Sequence, residues 1–142
     1  MIAAAARKYA GVKFRHRGRD RRGLDCAGLV WAAYNDLGHT LPDYRLYGRE
    51  PHRDGLTQYV AAALGDPVLT APVSLGDLSE GDVLVMRFER EPHHVGIVGS
   101  HDYAGTLALT LIHADGWNGR VLEQRLTPDM VSRITHAFRR PV

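Results

Sequence analysis

One cysteine, Cys26, is all that the 142-residue chain contains, so no internal disulfide can form and the fold must be held by packing. No apolar run approaches the roughly 18 residues of a membrane span. Residues 1–6 are apolar but are interrupted at once by Arg7 and Lys8, too early for a secretory signal. A chain without a signal peptide or a membrane span is therefore expected. Lysine is scarce: two of the eighteen bases are Lys8 and Lys13, and the rest are arginine. Residues 1–22 carry eight bases and one acid, leaving ten bases and fifteen acids beyond them. This basic arm has no aromatic interleaving, and the arginine bias runs through the whole chain, so no nucleic-acid partner is expected. Repeats, low-complexity tracts and a glycine-rich phosphate loop are absent. His93, His94, His101, Asp102, His113 and Asp115 could in principle gather around zinc, but no His-x-x-x-His, Cys-x-x-Cys or other familiar ligand spacing occurs, so no metal and no cofactor are expected. What is present, 44% hydrophobic and 24% charged residues, suits one globular domain spanning residues 1–142.

The pattern changes character near residue 66. Before it the spacing predicts helices over 2–10, ending at Gly11, over 26–37, ending at Gly38, and over a stretch capped by Asp54 and running to Leu64. After it, short apolar and β-branched runs over 83–88, 94–99, 107–113 and 120–126 alternate with turn signals at Gly81-Asp82, Glu91-Pro92, Tyr103-Ala104-Gly105 and Asp115-Gly116. Thr127-Pro128 predicts a capped helical turn, and residues 134–139 a last strand. Helices first and an antiparallel meander afterwards make an α+β fold.

Cys26 falls at the first position of the second helix, directly after Asp25, which reads as its N-cap. A helix start should lower a thiol pKa and offers backbone N–H groups to a developing oxyanion. A lone cysteine is equally what a small buried hydrophobe looks like. A cysteine nucleophile needs a base. If the runs 94–99 and 107–113 form a hairpin centred between Tyr103 and Ala104, paired positions sum to 207, and His94 stands opposite His113 on one face. One imidazole could then act as base while the other orients it. A slip of one residue would separate them. His93 projects to the other face. Gly96 and Gly99 could let the cysteine helix approach the strand closely.

These residues resemble the NlpC-type cysteine peptidases, bacterial and phage enzymes that cut cell-wall peptides. The family's nucleophile motif is matched by Asp25-Cys26-Ala27-Gly28-Leu29-Val30, its strand-opening motif by Gly81-Asp82-Val83-Leu84-Val85, and its base motif by His94-Val95-Gly96-Ile97, in order and at family spacing. The resemblance implies a papain-like fold with helices packed on an antiparallel sheet. It makes Cys26 the nucleophile, His94 the general base and His113 the third polar residue. It implies cleavage of the D-glutamyl to diamino-acid bond in peptidoglycan stem peptides. Phe14 stands where many members have a tyrosine, so that hydroxyl is missing, and His16 is the polar group that could replace it. Phe14, His16, Arg19 and Asp25 are the expected substrate-binding residues, and arginines 15, 17, 45 and 49 could also meet carboxylates. Phe14, Gly18-Arg19 and Phe138-Arg139 look most like the phage-tail and gene-transfer-particle branch, which implies phage-like tail proteins as partners and delivery to the wall inside a particle. A tail component with a vestigial site, or a thiol acyltransferase or amidase acting on another acyl substrate, are the alternatives.

Overall fold

A computed structural model describes residues 1–42, 55–88 and 91–140. Helix α1 (Ile2–Arg7) is followed by a two-stranded ribbon, β1 (Arg19–Asp20) and β2 (Gly23–Leu24), then by α2 (Cys26–Asp36) and α3 (Leu56–Leu64). The remainder is β3 (Leu69–Thr70), β4 (Val83–Phe88), β5 (Glu91–Tyr103), β6 (Thr106–Asp115), β7 (Arg120–Arg125), a short helix α4 (Pro128–Ser132) and β8 (Ile134–Phe138). Strands β3 to β8 form one antiparallel sheet in the order β3-β8-β4-β5-β6-β7. The architecture is the expected α+β one, and the fold is papain-like.

The sheet is covered on both sides, which explains why Val83-Leu84-Val85-Met86 is uniformly apolar instead of alternating. Val83, Val85, Val95, Ile97, Ile112 and Ala114 face α1, α2 and α3. Leu84, Met86, Val98, Leu111 and Ile134 face the opposite way, against Leu78, Leu126 and Val131. Truncating the fully buried Ile97, Leu111 or Ile112 to alanine costs about 2–5 kcal/mol.

Element boundaries differ from expectation at three places. The first helix stops at Arg7, and residues 8–10 continue as i→i−3 turns, with Tyr9 N–H donating to Ala6 O and Ala10 N–H to Arg7 O, before Gly11 turns the chain with φ +87. Asp54 lies outside the described residues, and Gly55 (φ +79) occupies the N-cap of α3. Glu91 and Pro92, expected in a turn, belong instead to β5, paired with Phe88 and Arg87. A register shift between Met86 and Arg87 accommodates the proline there. Among the described residues no helix is long and apolar enough to cross a membrane.

The hairpin register also needs correction. Ile97 pairs with Ile112 and Tyr103 with Thr106, so paired positions sum to 209, not 207. The turn is the two-residue Ala104-Gly105, with φ +52 and +91, the type I′ geometry that matches strand twist. The discrepancy is an even number, so every side chain keeps its face, and His94 becomes a diagonal instead of a direct neighbour of His113.

Candidate active site

Helix α2 starts where Asp25 adopts an extended conformation and its Oδ1 accepts the Gly28 N–H at 2.8 Å. The other carboxylate oxygen accepts the Arg17 N–H at 2.8 Å, and Arg19 Nη1 donates to Oδ1 at 3.0 Å with both side chains almost fully buried. Gly28 permits this closure: a Cβ there would lie 2.0 Å from Gly18 O and 2.9 Å from Arg19 Nη1. The Cys-Ala-Gly stretch is therefore shaped by the loop that wraps the helix start, and that loop holds Cys26 at the head of α2.

Cys26 is 9% exposed. Burial, followed by the neighbouring Asp25 charge, pushes its thiol up to about 12, against hydrogen bonds from the backbone of Val95 and Ala27 and the charge of Arg19. The expected depression of the thiol pKa is thus reversed: loss of solvent outweighs the helix start. Contact with the Val95 backbone places the sulfur beside the strand residue that follows His94.

His94 and His113 are 8% and 5% exposed. His94 Nε2 and His113 Nδ1 are 2.7 Å apart, the rings nearly perpendicular with centroids 4.9 Å apart. Gly96 makes the room: a Cβ there would lie 2.6 Å from Leu111 Cδ1 and 3.2 Å from His113 Cβ. Its close neighbours are thus β6 side chains and not the cysteine helix, and the same is true at Gly99, where Thr110 and Ile112 of β6 and Glu123 of β7 crowd the Cα. On its far side His113 Nε2 lies 2.7 Å from Gln124 Oε1. Burial lowers the His113 pKa against the Gln124 hydrogen bond and the Asp115 charge, so this imidazole is neutral at pH 7.

Phe14, His16, Asp25, Cys26, His94 and His113 share a cleft of about 610 Å³. Arg19 is not among the residues that line it; its guanidinium is buried against Asp25 at the helix start. Arg15 and Arg17 are exposed; positions 45 and 49 lie outside the described residues, as does the side chain of His93. Asp115, Trp117 and Gln124 also line the cleft, and none of them is among the expected catalytic or substrate-binding residues. Burial disfavours the Asp115 charge, but the Asn118 amide, the Trp117 N–H and both histidines outweigh it and hold the carboxyl below its usual range. Trp117, 96% exposed, stands on the turn that Asp115 braces. Gln124 looks in sequence like an ordinary polar residue of an edge strand. Only its place diagonal to His113, which pairs with Leu122, reveals it. Among the described residues no group of three or more His, Cys, Asp or Glu side chains is arranged to hold a metal ion.

The family model for NlpC/P60 matches residues 11–140. The chain belongs to the NlpC/P60 family. The match includes every candidate site residue and leaves only the first ten residues and the last two outside it. Similar solved structures include the NlpC/p60 domain of the peptidoglycan hydrolase SagA, 19% identical with TM-score 0.59, covering 97% of this chain and 95% of that one. The peptidoglycan hydrolase RipB from Mycobacterium tuberculosis is 18% identical with TM-score 0.58, over 97% of this chain and 62% of its own. An N-acetylmuramoyl-L-alanine amidase from Bacteroides uniformis is 10% identical with TM-score 0.57, over 96% and 95%. No curated protein matches the sequence. The residues that suggested a phage-tail branch have structural employment in this NlpC/P60 domain. Gly18 admits the Gly23 carbonyl, Arg19 pairs with Asp25, Phe138 is in the core, and Arg139 makes a two-pronged pair with buried Asp82 at 2.8 and 2.9 Å.

Proposed function

We propose that residues 1–142 act as one catalytic domain, a cysteine hydrolase of amide bonds in peptidoglycan stem peptides. The observation that carries this reading is the 2.7 Å His94–His113 contact, in one cleft with a cysteine at the head of a helix. Family membership supports it, as does the description of SagA and RipB as peptidoglycan hydrolases.

Burial favours the protonated thiol, so we assign His94 the task of generating the nucleophile as attack begins. His94 removes the Cys26 proton as the sulfur adds to the carbonyl carbon, and backbone N–H groups at the head of α2 receive the oxyanion. The imidazolium of His94 then protonates the leaving amine, the C–N bond breaks, and a thioester remains. A water molecule, deprotonated by His94, hydrolyses the thioester and restores the thiol. His113 keeps the His94 ring oriented throughout. The bond we assign is D-glutamyl to diamino acid. The three similar structures are described as two peptidoglycan hydrolases and an amidase, which supports the hydrolase reading over the tail-component alternative.

Mass spectrometry of purified muropeptides, incubated at neutral pH with a chelator and either wild type or Cys26→Ala, tests this. Cleavage within the stem peptide by wild type alone is the expected result and identifies the bond. A folded wild type that leaves every stem peptide intact overturns the reading, and cleavage by Cys26→Ala removes the cysteine from the mechanism.

A further inference from the structure

We infer that Gln124 is a positioning residue that fixes the tautomer of His113 and, through it, directs the basic nitrogen of His94 toward Cys26. The inference rests on the catalytic reading above for its consequence, but not for its geometry.

A side-chain amide oxygen only accepts hydrogen bonds. At 2.7 Å from Gln124 Oε1, His113 Nε2 must therefore carry hydrogen. In a neutral imidazole the other nitrogen, Nδ1, then holds a lone pair, so the 2.7 Å contact to His94 is closed by the hydrogen on His94 Nε2. The remaining nitrogen of a neutral His94, Nδ1, is left with the lone pair that takes the thiol proton. With the opposite tautomer, His113 Nδ1–H would donate to His94 Nε2, and the proton of His94 would sit on the nitrogen needed as base. The orientation of the amide is itself held from α4: Gln124 Nε2 lies 4.0 Å from the thioether sulfur of Met130, a weak acceptor that offers nothing to Oε1. A chain of three side chains on three neighbouring strands, β7 to β6 to β5, thus sets which end of His94 is basic.

Imidazole nitrogen NMR of the full-length protein decides the matter in the resting state, with hydrolysis of purified muropeptides as a second readout. In wild type His113 is expected protonated at Nε2 and bare at Nδ1. Gln124→Glu, which keeps an acceptor oxygen toward His113 Nε2, is expected to keep hydrogen on that nitrogen. Gln124→Leu is expected to lose it and to lower kcat about tenfold or more with KM nearly unchanged, by analogy with the outer-shell partners that orient metal-bound imidazoles. A wild-type His113 protonated at Nδ1, or a Gln124→Leu variant that keeps a pure Nε2–H tautomer, overturns the inference. If no variant cleaves wall peptides, the hydrolase reading fails, while the NMR result still decides the role of Gln124.

Discussion

Cys26 has two pulls on its proton, and the structure ranks them. The helix start and the Val95 and Ala27 backbone favour thiolate; burial and the adjacent Asp25 charge disfavour it and win, raising the thiol to about 12. Alkylation by iodoacetamide should accordingly be slow at pH 7 to 8 and climb with pH beyond the ordinary thiol range of about 8.5. Because Cys26 is the single cysteine, whole-protein mass reports its labelling directly. Rapid labelling near pH 6 would show a pre-formed thiolate and rule out base-generated nucleophile formation. Sequence position correctly marks where Cys26 sits, at the first residue of a capped helix. It does not reveal solvent exclusion, because that depends on segments distant in sequence, such as β5, whose Val95 backbone meets the sulfur.

At the level of elements, the site depends on how α2 is started and how β5 pairs with β6. Asp25 caps the helix, receives the Arg17 N–H and pairs with the buried Arg19 guanidinium. Asp25→Ala should lower stability by about 3–5 kcal/mol, because it strands a buried cation as well as removing a cap. Urea unfolding measures the loss. The double variant Asp25→Ala/Arg19→Met should recover part of it, since no buried charge is then left without its partner; equal loss in both variants would mean that capping alone matters. The β5–β6 pairing shows what an element-level argument from sequence can reach. Parity along each strand already put His94 and His113 on one face. The register itself turned on whether the Tyr103-Ala104-Gly105 signal closes in two residues, which the positive φ of both Ala104 and Gly105 settles. The Arg19–Asp25 pair is hidden for a related reason: in a basic arm a guanidinium looks like a solvated or ligand-facing group until a buried carboxylate is found beside it.

For the whole molecule the titrating groups set a pH window of stability. His113 and His136 have pKa values lowered by burial from 6.5. Below about 6.5 the unfolded chain therefore takes up protons that the folded one resists, and stability falls as pH drops through that range. Cys26 and Tyr9, both raised to about 12, and the raised Tyr34 act in the other direction: the unfolded chain loses these protons first, so stability falls above about pH 9. Urea midpoints should be highest between these limits and decline on both sides, and His136→Gln should flatten part of the acid decline. A midpoint independent of pH from 5 to 7 would contradict the buried, neutral state of His113.

The sequence by itself determined the class of fold and the three residues on which the proposed chemistry turns. Helix caps, β-branched runs and strand parity are local, and they are written in neighbouring residues such as Asp25-Cys26, Thr127-Pro128 and the alternation through His94 and His113. Tertiary structure alone decided the burial of Cys26, the pairing of Arg19 with Asp25, and the presence of Gln124 behind His113. Each of these depends on what distant segments bring within 3 Å or remove from water, and no spacing along one strand or helix encodes that.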